Sequence, residues 1–335
     1  MGEFRQDQTT GTWVIIAPER GDRPVERPRR RPPMNPAPEF SPSCPFCPGN
    51  ESMLPGIIEE VAGEDAPGWR VRVVPNKYPA LQPEPASGPD STGRQPGAAA
   101  YGHHEVIVES PRHNADLASR PDAEIGTVMA EYQRRYVDLV GRPRINAVVV
   151  FRNHGGRSGA SLAHPHAQAI ALGAIPPQMS RLGARARRRY RRDGRCLACD
   201  EIERERRERL RVIEEGAHFL AYVPFAASGP YELRIAPKRH AASFAEATAA
   251  ELADLGVVLG RTLRALAEVA DDPPYNFVID SAGRRGVAAP HQHWRVRVLP
   301  RLVTPGGFEL GSGVPINPSL PERDAAALRE AGTGR

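Results

Sequence analysis

The sequence predicts an α+β protein made by duplication, with two repeats sharing a largely antiparallel sheet and helices packed against it. Three observations carry this expectation. The strand-like segment from Glu105 to His113 has a counterpart running from Glu232 to His240. Each is followed by one long helical stretch, then by a short apolar strand, then by a histidine, His164 in the first copy and His291 in the second. The interval from His113 to His164 equals that from His240 to His291, 51 residues in each case. Strands that alternate with single long helices imply a sheet covered by helices. The repeat spacing then divides the chain into residues 1–175 and 176–335.

In order along the chain, Thr12 to Ala17 is short, apolar and bounded by turn residues, which reads as a strand. Val71 to Val74 and His104 to Glu109 read the same way, with Val106 and Val108 on one face of the latter. Pro24 to Ser43 and Pro79 to Ala100 are rich in proline and should be irregular or extended. Asp122 to Val140 has a clear helical period, with Ile125, Val128, Met129, Tyr132, Tyr136 and Leu139 in one apolar stripe. Ile145 to Phe151 is almost wholly apolar, as a central strand should be, and Ala167 to Leu172 continues the sheet. In the second copy, strands are expected at His218 to Val223, Tyr231 to Ile235, Asn276 to Asp280 and His293 to Leu299. The helix between them should start at Thr248, where Thr248 and Glu251 have capping-box spacing, and run to about Val269.

The chain has 335 residues, 40% apolar and 25% charged, the balance of a globular protein that folds without staples. It contains no apolar run of membrane-spanning length and no signal-like start, so a cytoplasmic protein without a membrane partner is expected. The net charge of +5 comes from arginine, because Lys77 and Lys238 are the only lysines. Arginines cluster at Arg27 to Arg31 and Arg181 to Arg195. Without an aromatic platform these read as a solvated surface and not as a nucleic-acid stripe. A positive field does suit substrates that carry phosphate.

The four cysteines form two Cys-x-x-Cys pairs, Cys44 with Cys47 and Cys196 with Cys199. Each has histidines downstream, which points to zinc ligands. The first set is Cys44, Cys47, His113 and His164, a Cys2His2 site that tetrahedral zinc would close. The second is Cys196, Cys199, His240 and either His291 or His293, the repeat spacing favouring His291. With His164 holding metal, His166 stays free as a neutral imidazole, a nucleophile suited to phosphorus. Gln168 falls on the same face and can donate to phosphoryl oxygens. The run from Asn153 to Ser161 offers backbone amides, two serines and Arg157 to a phosphate.

These motifs resemble the galactose-1-phosphate uridylyltransferase family, a branch of the histidine triad superfamily in which glutamine replaces the third histidine. The likeness runs from Thr12 to about Arg323. It implies a duplicated histidine-triad-like fold, a homodimer, one or two structural zinc ions per chain, and ping-pong nucleotidyl transfer with His166 as nucleophile and Gln168 as stabiliser. It also implies that Arg20 and Arg23 lie near the nucleotide phosphates and that Asn76, Asn153 and Ser161 contact the nucleotide. The activity so implied moves UMP between UDP-glucose and a hexose 1-phosphate. An ADP-sugar phosphorylase using the same histidine is the alternative. Lys77-Tyr78 stand where the reference uridylyltransferases carry Asp-Phe. The segment Gly306 to Pro318, the Cys196/Cys199 pair and the run Asp271 to Asn276 are more similar to the family's ADP-glucose phosphorylase branch. That branch places the histidine before the tryptophan at the second metal site, which favours His293. A regulator with a dead site and a zinc-stapled nucleic-acid binder are the competing readings. The joint presence of His166 and Gln168 argues against the former; a steep salt dependence without nucleotide-sugar affinity would mark the latter.

Overall fold

Apolar and β-branched runs punctuated by proline and glycine give short strands, and here they assemble into one broad sheet. A computed structural model describes residues 2–22, 38–63, 68–84, 99–286 and 288–333. Arg23 and most of the two proline-rich segments lie outside these residues. In chain order the first strands are β1 (Glu3–Gln6), β2 (Trp13–Ile16), β3 (Glu59–Ala62), β4 (Trp69–Pro75) and β5 (Gly102–Val108). Next come β6 (Ala147–His154), β7 (His166–Leu172), β8 (Val212–Glu215), β9 (Phe219–Tyr222) and β10 (Leu233–Pro237). The last are β11 (Tyr275–Asp280), β12 (Arg295–Pro300) and β13 (Ile316–Asn317). Ten of them form an antiparallel sheet in the order β3-β4-β5-β7-β6-β11-β12-β10-β9-β8. β6 and β11, one from each repeat, meet at its centre. A small sheet, β1-β2-β13, stands apart.

The long helices α1 (Asp122–Gly141) and α4 (Ala249–Ala270) back this sheet. The apolar stripe of α1 is buried along its length. The two helices touch at Gly126 and Gly256, where a Cβ on Gly256 would sit 2.5 Å from the Gly126 nitrogen. Thr248 and Glu251 make the expected reciprocal cap on α4. Two further helices, α2 (Pro177–Asp193) and α3 (Leu197–Glu208), were not expected. α2 carries most of the arginine cluster, and several guanidiniums are answered locally, Arg189 and Arg192 by Asp193 and, just past the helix, Arg195 by Asp200. Beyond β12 lie α5 (Gly307–Ser312) and α6 (Pro321–Thr333). No helix among the described residues is long and apolar enough to cross a membrane.

The open face, away from α1 and α4, differs between the two halves. On the β8 to β12 side, α3 packs Ile202 over Leu220, Tyr222 and Ala236. The N-terminal segment adds Asp7, which meets buried Arg234. On the β3 to β7 side the same face carries Cys44, Phe46, Cys47, Val74, Val106 and Val108. Register fixes which residues stand together there. Val106 pairs with Gln168, and Gln168 with Phe151. Val108 pairs with His166. Arg152 opposite Ala167 sets His166 beside Asn153 on the next position along, and Asn153 in turn pairs with Asn276.

Candidate active site and metal clusters

His164 lies just before β7, which begins at His166. Its ring is fully buried, and Nε2 stands 2.7 Å from the Ser110 carbonyl, which can only accept. Nε2 therefore carries the proton, and the Nδ1 lone pair faces Cys44 Sγ at 3.7 Å and Cys47 Sγ at 3.6 Å. His113 Nδ1 is 3.5 Å from Cys47 Sγ. The four ligand atoms lie within 4.8 Å of one another, a donor set that fits tetrahedral zinc. Burial, with His113 and His166 close by, pushes the His164 pKa down to about 4, which keeps the ring neutral as ligation requires.

The second cluster repeats this arrangement with Cys196, Cys199, His240 and His293, again within 4.8 Å. Cys199 Sγ is 3.4 Å from Nδ1 of both His240 and His293. His293 Nε2 donates to the Pro237 carbonyl at 3.0 Å, as His164 does to Ser110. The equal 51-residue spacing therefore pointed to the wrong histidine. His293 is two residues ahead of the first residue of β12, as His164 is two ahead of β7. The extra two residues in the second copy displace His291 from the cluster, and its Nε2 is buried without a hydrogen-bond partner.

His166 is held differently. Its Nδ1 donates to the His164 carbonyl at 2.8 Å, so Nε2 keeps its lone pair on the opposite side of the ring. Burial lowers its pKa and favours the neutral form. Phe46 packs against the ring at 5.3 Å between centroids. Gln168 is oriented by a residue that the sequence reading left unused, His104. The Ala80 N–H donates to His104 Nδ1 at 3.2 Å, which leaves the proton on Nε2, and Nε2 donates to Gln168 Oε1 at 2.8 Å. The Gln168 amide group is thereby left as the donor end of the side chain, and among the described residues it makes no hydrogen bond. Asn76 Oδ1 accepts from the Tyr78 N–H at 2.8 Å, and its amide nitrogen lies 3.0 Å from the same His104 nitrogen, a contact of two donors in this tautomer and not a hydrogen bond. On the far side, Asn276 Nδ2 donates to Asn153 Oδ1 at 2.7 Å and to the Ser158 carbonyl at 2.9 Å, fixing the glycine-rich loop.

Residues 2–176 match the family model described as galactose-1-phosphate uridyl transferase, N-terminal domain. The chain belongs to that family. An ADP-glucose phosphorylase of Arabidopsis thaliana is 36% identical over 332 residues, 98% of this chain and 92% of that protein. A galactose-1-phosphate uridylyltransferase of Thermotoga maritima is 29% identical over 343 residues, 98% of both chains. A crystal structure of the Arabidopsis thaliana ADP-glucose phosphorylase with bound ADP-glucose superposes with a TM-score of 0.84 at 32% identity, covering 98% of each chain. A uridylyltransferase structure gives 0.75 at 28% identity, over 99% of this chain and 98% of that one.

The remaining residues that the family likeness singled out are spread more widely. Asn76 follows β4 and reaches His104, so it stands with Gln168. Ser161 is exposed in the loop before His164. Arg20 sits in the turn Pro18–Asp22, where Gly21 lies against Pro318 near the small sheet. Among the described residues no hydrogen bond joins Arg20 to the His166 group. His104 was legible in principle, because it precedes Val106 by two and so shares its face. Asn276 and Arg301 were not, since only the β6–β11 pairing brings the second repeat to the edge of the first.

Proposed function

We propose that the protein transfers a nucleotidyl group from a nucleoside diphosphate sugar to a phosphate-bearing acceptor through a covalent nucleotidyl-His166. The observation that carries this reading is the imidazole of His166, tied by Nδ1 to the His164 carbonyl with Nε2 free beside the donor amide of Gln168. The Nε2 lone pair attacks the α-phosphorus. The bond from that phosphorus to the bridging oxygen breaks, and sugar 1-phosphate leaves with the electron pair. A phosphate oxygen of the acceptor then attacks the same phosphorus, and the N–P bond returns its electrons to Nε2. Gln168 donates to the phosphoryl oxygens as charge builds on them, and the Asn153 to Ser161 loop adds backbone amides.

Two details support an adenine nucleotide sugar and orthophosphate over UDP-glucose and hexose 1-phosphate. The Arabidopsis phosphorylase is more similar in sequence, 36% against 29%, and in structure, 0.84 against 0.75. The segment from Gly306 to Pro318 also reads as that branch. Uridylyl transfer between UDP-glucose and galactose 1-phosphate is the second reading, and the likeness to the Thermotoga maritima enzyme supports it.

Zinc suits both Cys2His2 clusters. In the first it would fix the Cys44–Cys47 loop and His164, and through the His164 carbonyl the ring of His166. The match of an N-terminal domain model to residues 2–176 supports repeats divided at 175/176. We further read the protein as a homodimer, for which exposed Phe308 and Leu310 offer apolar surface. Intact-mass measurement after incubation with ADP-glucose and, separately, UDP-glucose tests the function. A stable adduct of one AMP group is expected from the former, an adduct of UMP alone selects the second reading, and no adduct from either rejects covalent transfer.

A further inference from the structure

The two flanks of His166 are chemically unlike. Toward β5 lie Val106, Val108 and Phe46, packed against the first metal cluster. Arg72 on that side is buried and pairs through Nη2 with Glu51 and through Nε with Glu60; its Nη1 has no partner but is itself sealed from solvent. Toward the centre of the sheet the neighbours are Asn153 and then Asn276, and Arg301 lies beyond them. Arg301 follows β12, its backbone N–H donating to the Pro274 carbonyl at 2.6 Å. That bond keeps it at the end of the sheet where β6 finishes and β7 begins. Its Nε donates to Asn276 Oδ1 at 2.5 Å, so the guanidinium is drawn back over the open face. No carboxylate pairs with it among the described residues, and its side chain is exposed. Asn276 stands two strand spacings from His166, roughly 10 Å across the sheet.

Resting on the function proposed above, we infer that Arg301 of the second repeat binds the phosphate next to the reacting one. That is the β-phosphate of the nucleotide sugar in the first half-reaction and the acceptor phosphate in the second. A diphosphate whose α-phosphorus meets Nε2 must send its second phosphate to one flank. Directly beside His166 the β5 flank is apolar, formed by Val108 and Phe46, with His104 and Asn76 farther along near Gln168. The other flank offers an exposed guanidinium held by Nε, whose two terminal nitrogens make no hydrogen bond among the described residues and form the fork that matches phosphate oxygens. The chain Arg301, Asn276, Asn153 sets the height of that fork above the sheet.

The test compares Arg301→Ala and Arg301→Lys with wild type, each as the full chain with its metal content checked. Calorimetry would give affinities for AMP and ADP, with UMP and UDP as the parallel pair, and the KM for orthophosphate would be measured on the nucleotidylated enzyme. The alanine variant should lose about tenfold or more in ADP affinity with AMP affinity unchanged, and its KM for phosphate should rise by a similar factor. The lysine variant should recover part of both. Equal loss of AMP and ADP would mean that Arg301 only props Asn276 and Asn153, and no change in either would remove it from the site. Both outcomes overturn the inference and leave covalent transfer standing. Wild-type protein that binds none of the nucleotides and forms no adduct would remove the proposed function itself.

Discussion

At the start of β7 the chain presents His166, and at the matching start of β12 it presents Arg295. The two strands are alike in that each begins two residues after a metal-cluster histidine. Their surroundings differ. Arg295 reaches Thr9 Oγ1 at 3.1 Å, Asp280 at 3.4 Å and Glu201 at 3.7 Å, and Arg297, where the first half has Gln168, is bound to Asp280 at 2.6 Å. Burial opposes the charge on Asp280, but Arg297 and Arg295 overcome it and hold the carboxyl below its ordinary range. Among the described residues Arg234, Arg295 and Arg297 on that face each meet a carboxylate from α3, the N-terminal segment or a neighbouring strand, although Arg234 Nε itself makes no hydrogen bond. On the first half Nε2 of His166 and the amide of Gln168 are left with valence to spare. The same fold element is closed where arginines pair with carboxylates from other elements, and open to chemistry where an imidazole nitrogen and an amide group stay available.

The strongest way to break this contrast is to remove the free imidazole. His166→Gly should lower nucleotidyl transfer by about four orders of magnitude or more, since a covalent intermediate has no other seat. Metal content and melting temperature should stay near those of the wild type, because both clusters lie outside the change. Turnover close to wild type, measured by release of sugar 1-phosphate, would show that the two halves do not differ in the way described.

Metal retention offers a second comparison. In the first cluster three of the four ligands are buried, with Cys47 and His164 at 0% exposure. In the second, His240 is exposed and Cys199 and His293 only half-buried. Burial lifts the Cys44 thiol above its usual range. In the second pair the hydrogen bond between the thiols, aided by His293, pulls Cys196 down to about 3 while Cys199 rises. Zinc binding must displace the thiol protons that remain in each cluster. Chelator competition should therefore release one equivalent about tenfold faster than the other. Cys199→Ser should abolish the fast phase and Cys47→Ser the slow one. A single phase for both equivalents would erase the distinction.

What the sequence disclosed follows from how local each signal is. The helix at Asp122, the cap at Thr248, the two Cys-x-x-Cys pairs and the pairing of His164 with His166 depend on neighbours within a few residues, and they stood where they were read. Of the two histidines left open for the second cluster, His291 was favoured only by counting residues between landmarks, which a two-residue insertion defeats, whereas the family likeness favoured His293, which stands in the cluster. α2 escaped notice because its arginines hide the period of Met179, Leu182 and Ala186, which line a cavity of about 450 Å³ over Val149 and Val278. His104, Asn276 and Arg301 come together only through strand register, which no single segment encodes.

The smallest effect concerns the central seam, where β6 ends in His154 while β11 ends in Asp280 and is followed by neutral Ser281, whose hydroxyl donates to Tyr136 at 2.8 Å. His154 Nδ1 is 3.2 Å from Asp116 and Nε2 is 3.0 Å from Asp272, and its ring stacks on Tyr275 at 4.7 Å. Burial alone would depress its pKa and Arg152 adds to that, but Asp116 and Asp272 outweigh both and push it up to about 9. The raised value means that the protonated ring stabilises the folded chain. That contribution is complete below the unfolded pKa of about 6.5 and disappears as pH rises through 9. Urea midpoints should thus fall between pH 6.5 and 9.5 by the equivalent of roughly 1–2 kcal/mol. In His154→Gln, which keeps hydrogen-bonding capacity without the charge, the curve should be flatter over the same interval. If the variant lost stability over that range as steeply as the wild type, the charge that joins Asp116 of the first repeat to Asp272 of the second would not be the source. The seam would then be held by β6–β11 pairing, the Tyr275 stack and the Asn276–Asn153 bond, without that charge.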